Sequence, residues 1–67
     1  MDLEKVKTYI HNKDIGVPEL AKALNISRQS MYLKLSGARS FRAEELLGMA
    51  IAMKMKKKEI LDIFFNM

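Results

Sequence analysis

The chain has 67 residues, with twelve Lys and Arg against eight Asp and Glu, one histidine and no cysteine. A single domain of this length buries only about 60% of its unfolded surface, which leaves little core for an enzyme pocket. The missing cysteines exclude disulfides and thiolate metal sites, and the lone His11 excludes a multi-histidine site.

No apolar run reaches the roughly 18 residues of a membrane span. The N-terminal "MDLEKVKTYI" mixes acids and bases in an amphipathic pattern, unlike a signal peptide. Helical spacing dominates the rest. Helix 1 is predicted over about Asp2 to His11, with Leu3, Val6 and Ile10 on one stripe and acids in the first turn. "NKDIG" reads as a loop. Pro18 suits the first turn of helix 2, where a missing N–H costs nothing. That helix runs to about Leu24, with Leu20, Ala21 and Leu24 inward. Asn25 tolerates the left-handed conformation that stops a helix.

Ser27 is then a good N-cap for helix 3, which turns Met31 and Leu35 inward and ends at Gly37. Helix 4 is expected from Phe41 or Arg42 to Met53, with Leu46, Leu47, Ala50 and Met53 inward. Glu44 and Glu45 in its first turn balance the helix dipole. "KMKKK" reads as a solvated joint. Helix 5 covers about Lys57 to Phe65, with Ile60, Leu61, Phe64 and Phe65 as its apolar side. Met31, Met49 and Met53 read as gap-filling core. The expected fold is all-α, a compact bundle of five short helices in one domain.

Charge is uneven along the chain. Three basic residues accompany four acidic ones from Met1 to Leu20, and four accompany four from Ala43 onward. Between them, from Ala21 to Arg42, stand Lys22, Arg28, Lys34, Arg39 and Arg42 and no acidic residue. A basic patch confined to one segment favours a polyanion partner. That segment contains the short join between helices 2 and 3, which forces their axes to cross steeply, as in a helix-turn-helix. Ala21 supplies the small side chain where the two come closest. Helix 3 then presents Arg28, Gln29, Tyr32 and Leu33 outward, with Ser27 and Ser30 near its start. Arginine can bond guanine O6 and N7 as a fork, and glutamine can bond adenine N6 and N7.

The stretch "VPELAKALNISRQSMYLKLSGARSF" resembles the helix-turn-helix of the lambda-type phage repressor and Cro (XRE) family. The carrying pattern is Glu19-Leu20-Ala21, an apolar residue at Leu24, then Ser27, Ser30 and Gly37. "KKKEILDIFF" resembles the end of small phage regulators of that group. The resemblance implies a lambda-repressor-like domain, with the helix-turn-helix at about 17–36, that binds double-stranded operator DNA. It implies base contacts from Arg28, Gln29 and Leu33, with Ser27 and Ser30 at the groove edge. It implies phosphate contacts from Val17 through its backbone, and from Ser36, Arg39, Ser40 and Arg42, with attraction from Lys22 and Lys34. Leu33 could touch a thymine methyl or cap the core beside Leu35. Tyr32 is a phosphate candidate or an exposed tyrosine without a role.

Phe64 and Phe65 cannot both face the core, so Phe65 is a candidate dimer contact. The expected function is a Cro-like transcriptional regulator of phage or prophage type. It would bind a near-palindromic operator as a homodimer, in the cytoplasm of a bacterial host and on its nucleoid. The chain ends after helix 5, which favours Cro over a full repressor. No catalytic residue, metal, cofactor or small-molecule substrate is expected. The rival is a protein-interaction module, such as an antirepressor or antitoxin-like partner, using Phe65, Leu33 and the Met-rich surface.

Overall fold

A computed structural model describes residues 1–67. It contains five helices and no strand: α1 (Leu3–Asn12), α2 (Val17–Ala23), α3 (Arg28–Ser36), α4 (Ala43–Ala52) and α5 (Lys57–Phe65). Each start has a local cause. Asp2 caps α1, its Oδ1 accepting the N–H groups of Glu4 at 3.0 Å and Lys5 at 3.4 Å. Pro18 lies in the first turn of α2. Ser27 caps α3, its Oγ accepting the Ser30 N–H at 3.0 Å. Glu45 and Glu59 reach back to the N–H groups of Arg42 (2.7 Å) and Lys56 (2.8 Å), closing the first turns of α4 and α5.

The ends follow one recurring geometry. Asp14, Asn25, Lys54 and Asn66 all have positive φ, between 53° and 57°, within two residues of the ends of α1, α2, α4 and α5. After α2, the Asn25 N–H donates to Lys22 O (3.1 Å) and the Ile26 N–H to Ala21 O (3.0 Å), which satisfies carbonyls the helix leaves open. Gly37, at φ 90°, ends α3 in the left-handed region, which glycine occupies without a Cβ penalty.

Val6, Leu20, Met31 and Met49 are fully buried at the centre. Around them pack Ile10, Ala21, Leu35, Ala50, Met53, Ile63 and Phe64. Burying one such large apolar side chain contributes about 1.5–3 kcal/mol, enough to fix short helices that would not form alone. Helix α2 packs most against α3 and then against α4, while α1 meets α3 and α5. Gly48 lets α2 come close to α4: a Cβ there would stand 2.6 Å from Leu24 Cδ2.

One sequence expectation about facing is corrected. Leu47 does not point inward; it is 62% exposed, and Met49 takes the buried place on α4. On α5, Phe64 is buried and Phe65 exposed, as expected of a surface aromatic, while Ile63, not assigned inward from the sequence, joins Phe64 in the core. Helix α4 is apolar almost all round, so its pattern alone does not choose a face. Ser27→Ala is expected to cost about 1 kcal/mol, read as a fall of roughly 6 °C in the melting temperature by circular dichroism. An unchanged melting temperature would show that Ser27 does not stabilise α3.

Candidate nucleic-acid interface

The four residues between α2 and α3, Leu24 to Ser27, make the corner at Asn25. Ala21 is buried at the junction, and Ile26 packs against the core from the turn. The corner and the Ser27 cap therefore fix where α3 begins. Met31 and Leu35 fix its rotation, because both are buried.

With that face pinned, helical spacing puts Gln29, Leu33 and Ser36 in one line along the opposite side. Arg28 and Tyr32 flank the line on one side, and Ser30 on the other. Arg28 and Gln29 are exposed in the first turn, and no protein group engages either side chain. Their donors and acceptors are thus free for a ligand, beside the positive end of the helix dipole. Tyr32 is 57% exposed. Leu33 is half-buried yet does not pack against the buried core, so it lies on the outer edge and does not cap the interior.

The loop after α3 is stitched to that helix. Arg39 donates from Nη1 to Ser30 Oγ at 3.3 Å and from its backbone N–H to Leu33 O at 3.2 Å. Ser36 Oγ donates to Leu33 O at 2.9 Å and accepts the Ala38 N–H at 3.4 Å. Arg39 therefore brings a guanidinium to the Ser30 side of the α3 edge. Ser40 and Arg42 are exposed farther along, and Arg42 Nη1 stands 3.8 Å from Glu44 Oε1. Lys22 is exposed on α2 with no acidic partner.

Lys34 is a correction. It was expected to attract phosphate, but it is 8% exposed. Its Nζ lies 3.0 Å from Glu45 Oε1 and donates to Ser40 O at 3.1 Å. On the helix it falls beside Met31 and Leu35, so its stem follows the buried face and its charge is spent inside the protein. Burial alone would raise the Glu45 carboxyl. The Arg42 N–H, and after it Lys34, outweigh that effect and hold the group below its ordinary value. The basic set left outside the core shrinks to Lys22, Arg28, Arg39 and Arg42, of which Arg42 has only the exposed Glu44, at 3.8 Å, as a partner.

The sequence reading also missed neighbours. Lys7 and His11 of α1, four residues apart, share a concavity of about 410 Å³ with Val17, Tyr32 and Ser36. The Val17 side chain forms part of its apolar wall. The i, i+4 spacing of Lys7 and His11 is visible in the sequence, but their meeting with α3 is a tertiary fact. No three His, Asp or Glu side chains converge as a metal site would require, and no helix is long and apolar enough to cross a membrane.

Comparison of the chain with protein-family models, curated proteins and solved structures returns no match. The candidate site accordingly rests on its own geometry: one helix edge carrying Arg28, Gln29 and Leu33, with a basic loop on one flank and, on the other, a largely apolar cleft rimmed by Lys7 and His11.

Proposed function

We propose that the chain is a sequence-specific double-stranded DNA-binding regulator, Cro- or repressor-like, in which α2 and α3 act as a helix-turn-helix. The observation that carries this reading is the outward edge of α3. Its first turn offers an unpaired arginine and an unpaired glutamine, and the axis behind them is locked by a cap, a corner and a buried face. The first turn of such a helix enters the major groove, and these two side chain types read base edges there as forks. Arg39, Arg42 and Lys22, with Ser36, Ser40, Tyr32 and the Val17 N–H, would hold the flanking phosphates. Lys7 and His11 extend that set along the rim of the cleft.

One domain of this size offers few contacts, and a dimer doubles them. The regulator would then read a near-palindromic operator with half-sites about 34 Å apart, one helical turn. This reading sets its place of action on the nucleoid of a bacterial host.

Binding to short duplexes at graded salt tests the proposal. Neutralising about four phosphates per chain, about eight for the dimer, predicts a slope of about −7 in log affinity against log salt, with one selected sequence preferred throughout. Binding that is equally tight to selected and random duplexes would sink the regulatory reading. A second reading, a protein-interaction module of antirepressor or antitoxin type, draws on a different observation: Leu47, Ile51 and Phe65 are large apolar side chains left in solvent.

A further inference from the structure

The back of α4 carries an apolar surface that DNA reading leaves unused. Leu47 and Ile51 are 62% and 69% exposed and four residues apart, so they form a ridge along the helix. Beside the ridge runs a groove of about 240 Å³ between α4 and α5. Its lining is wholly apolar, with Leu46, Ala50, Ile60 and Phe64 in the wall and the exposed Leu47 and Phe65 bordering it.

We infer that two copies of the chain pair across this face about a two-fold axis, α4 running antiparallel to its counterpart. The charges at the two ends of the ridge support this occupant over an unrelated partner. Glu44 stands three residues before Leu47, and Lys54 three residues after Ile51. An axis at the level of Met49 sets Leu47 of one copy against Ile51 of the other. The same axis sets Glu44 against Lys54, because both pairs are symmetric about that level. Self-complementarity of this kind is what a two-fold interface demands.

Within one chain, neither charge has a good partner. Glu44 has only Arg42 at 3.8 Å, and Lys54 makes no ion pair. Lys54 also holds φ 53°, a left-handed conformation that costs an ordinary side chain about 1–2 kcal/mol and that glycine adopts without that cost. A standard interface takes about 800 Å² from each partner, about a sixth of this chain's 4725 Å². The proposed face centres on two exposed side chains of α4 and the groove beside them, so the pairing is weak, reversible and reinforced when two half-sites hold both copies. The inference rests on the dimeric part of the proposed function and is independent of what α3 reads.

Sedimentation equilibrium without DNA, from about 10 µM to about 1 mM, tests it. The wild-type chain is expected to move toward twice its monomer mass as concentration rises. Leu47→Glu is expected to weaken that association by at least about tenfold. Its circular dichroism and melting temperature stay unchanged, because the side chain is already in solvent. Glu44→Lys and Lys54→Glu alone each weaken pairing by about twofold to fivefold per ion pair, and the double swap restores it. A wild type that stays monomeric at about 1 mM, or a Leu47→Glu variant that dimerises like the wild type, overturns the inference. A swap that fails to restore pairing overturns the antiparallel register. A wild type that dimerises through this face yet binds no duplex keeps the inference and removes the DNA reading instead.

Discussion

Lys34→Met is expected to lower the free energy of unfolding by about 3 kcal/mol, measured by urea denaturation followed by circular dichroism. The substitution keeps most of the apolar stem and removes only the ammonium. Glu45 is then left 8% exposed with no cation beside it, and the Ser40 carbonyl loses its donor. An uncompensated buried charge costs far more than an exposed pair contributes. Domain stabilities run from about 5 to 15 kcal/mol, and a chain of this size falls toward the lower end. The loss would therefore leave about 2 kcal/mol at the lower end, an unfolded fraction of a few per cent. Removing both charges in Lys34→Met/Glu45→Met is expected to recover part of the stability. Recovery stays partial because Glu45 also accepts the Arg42 N–H at 2.7 Å. A single variant within about 1 kcal/mol of the wild type would show that the pair is not a structural tie.

The same pair sets a pH dependence. The folded-state value of Glu45 lies below the ordinary 4.5, so the unfolded chain takes up the proton first as pH falls. The contribution is complete at pH well above 4.5 and is lost as pH drops through the lowered folded-state value. The variants without Glu45 lose that part of the acid sensitivity.

Arg28→Ala is expected to cost about 1–3 kcal/mol against the preferred duplex, roughly fivefold to 150-fold in affinity, and almost nothing against random DNA. Arg28 is exposed and makes no ion pair or hydrogen bond within the chain, so stability stays at the wild-type level. Arg42→Ala gives the contrast. It weakens all sequences alike and reduces the salt slope by about one per chain. Competition titrations with single-base-pair variants of the selected duplex separate the two patterns. Specificity relaxed at one base pair supports base reading by Arg28, whereas a uniform loss would make Arg28 a phosphate contact.

Several of these features can be read from single residues because each answers a local need. Ser27 satisfies an open N–H, Asn25 accepts a left-handed corner, and Gly37 accepts φ 90°. The burial of Met31 follows from its place on the apolar stripe of α3. What stayed hidden depends on distance through space. Lys34 looks like a solvent-facing charge until Glu45, eleven residues on, is folded beside it. Lys7 and His11 look like ordinary helix surface until α1 lies against α3. Helix α4 offers apolar residues on every side, so its inward face is chosen only when α2 and α5 pack against it. Leu47 was assigned to the wrong side for that reason.

The loop from Gly37 to Arg42 is fastened to α3 and α4 at both ends, by Arg39 on Ser30 and Leu33, by Lys34 on Ser40, and by Arg42 on Glu45. A segment held in this way has already surrendered most of its conformational entropy in the free protein. A polyanion meeting this edge would find its counter-charges pre-organised and would not have to freeze a floppy strap before contact. The heat-capacity change on association would then report the apolar surface covered, with no added signature of a segment folding onto its ligand.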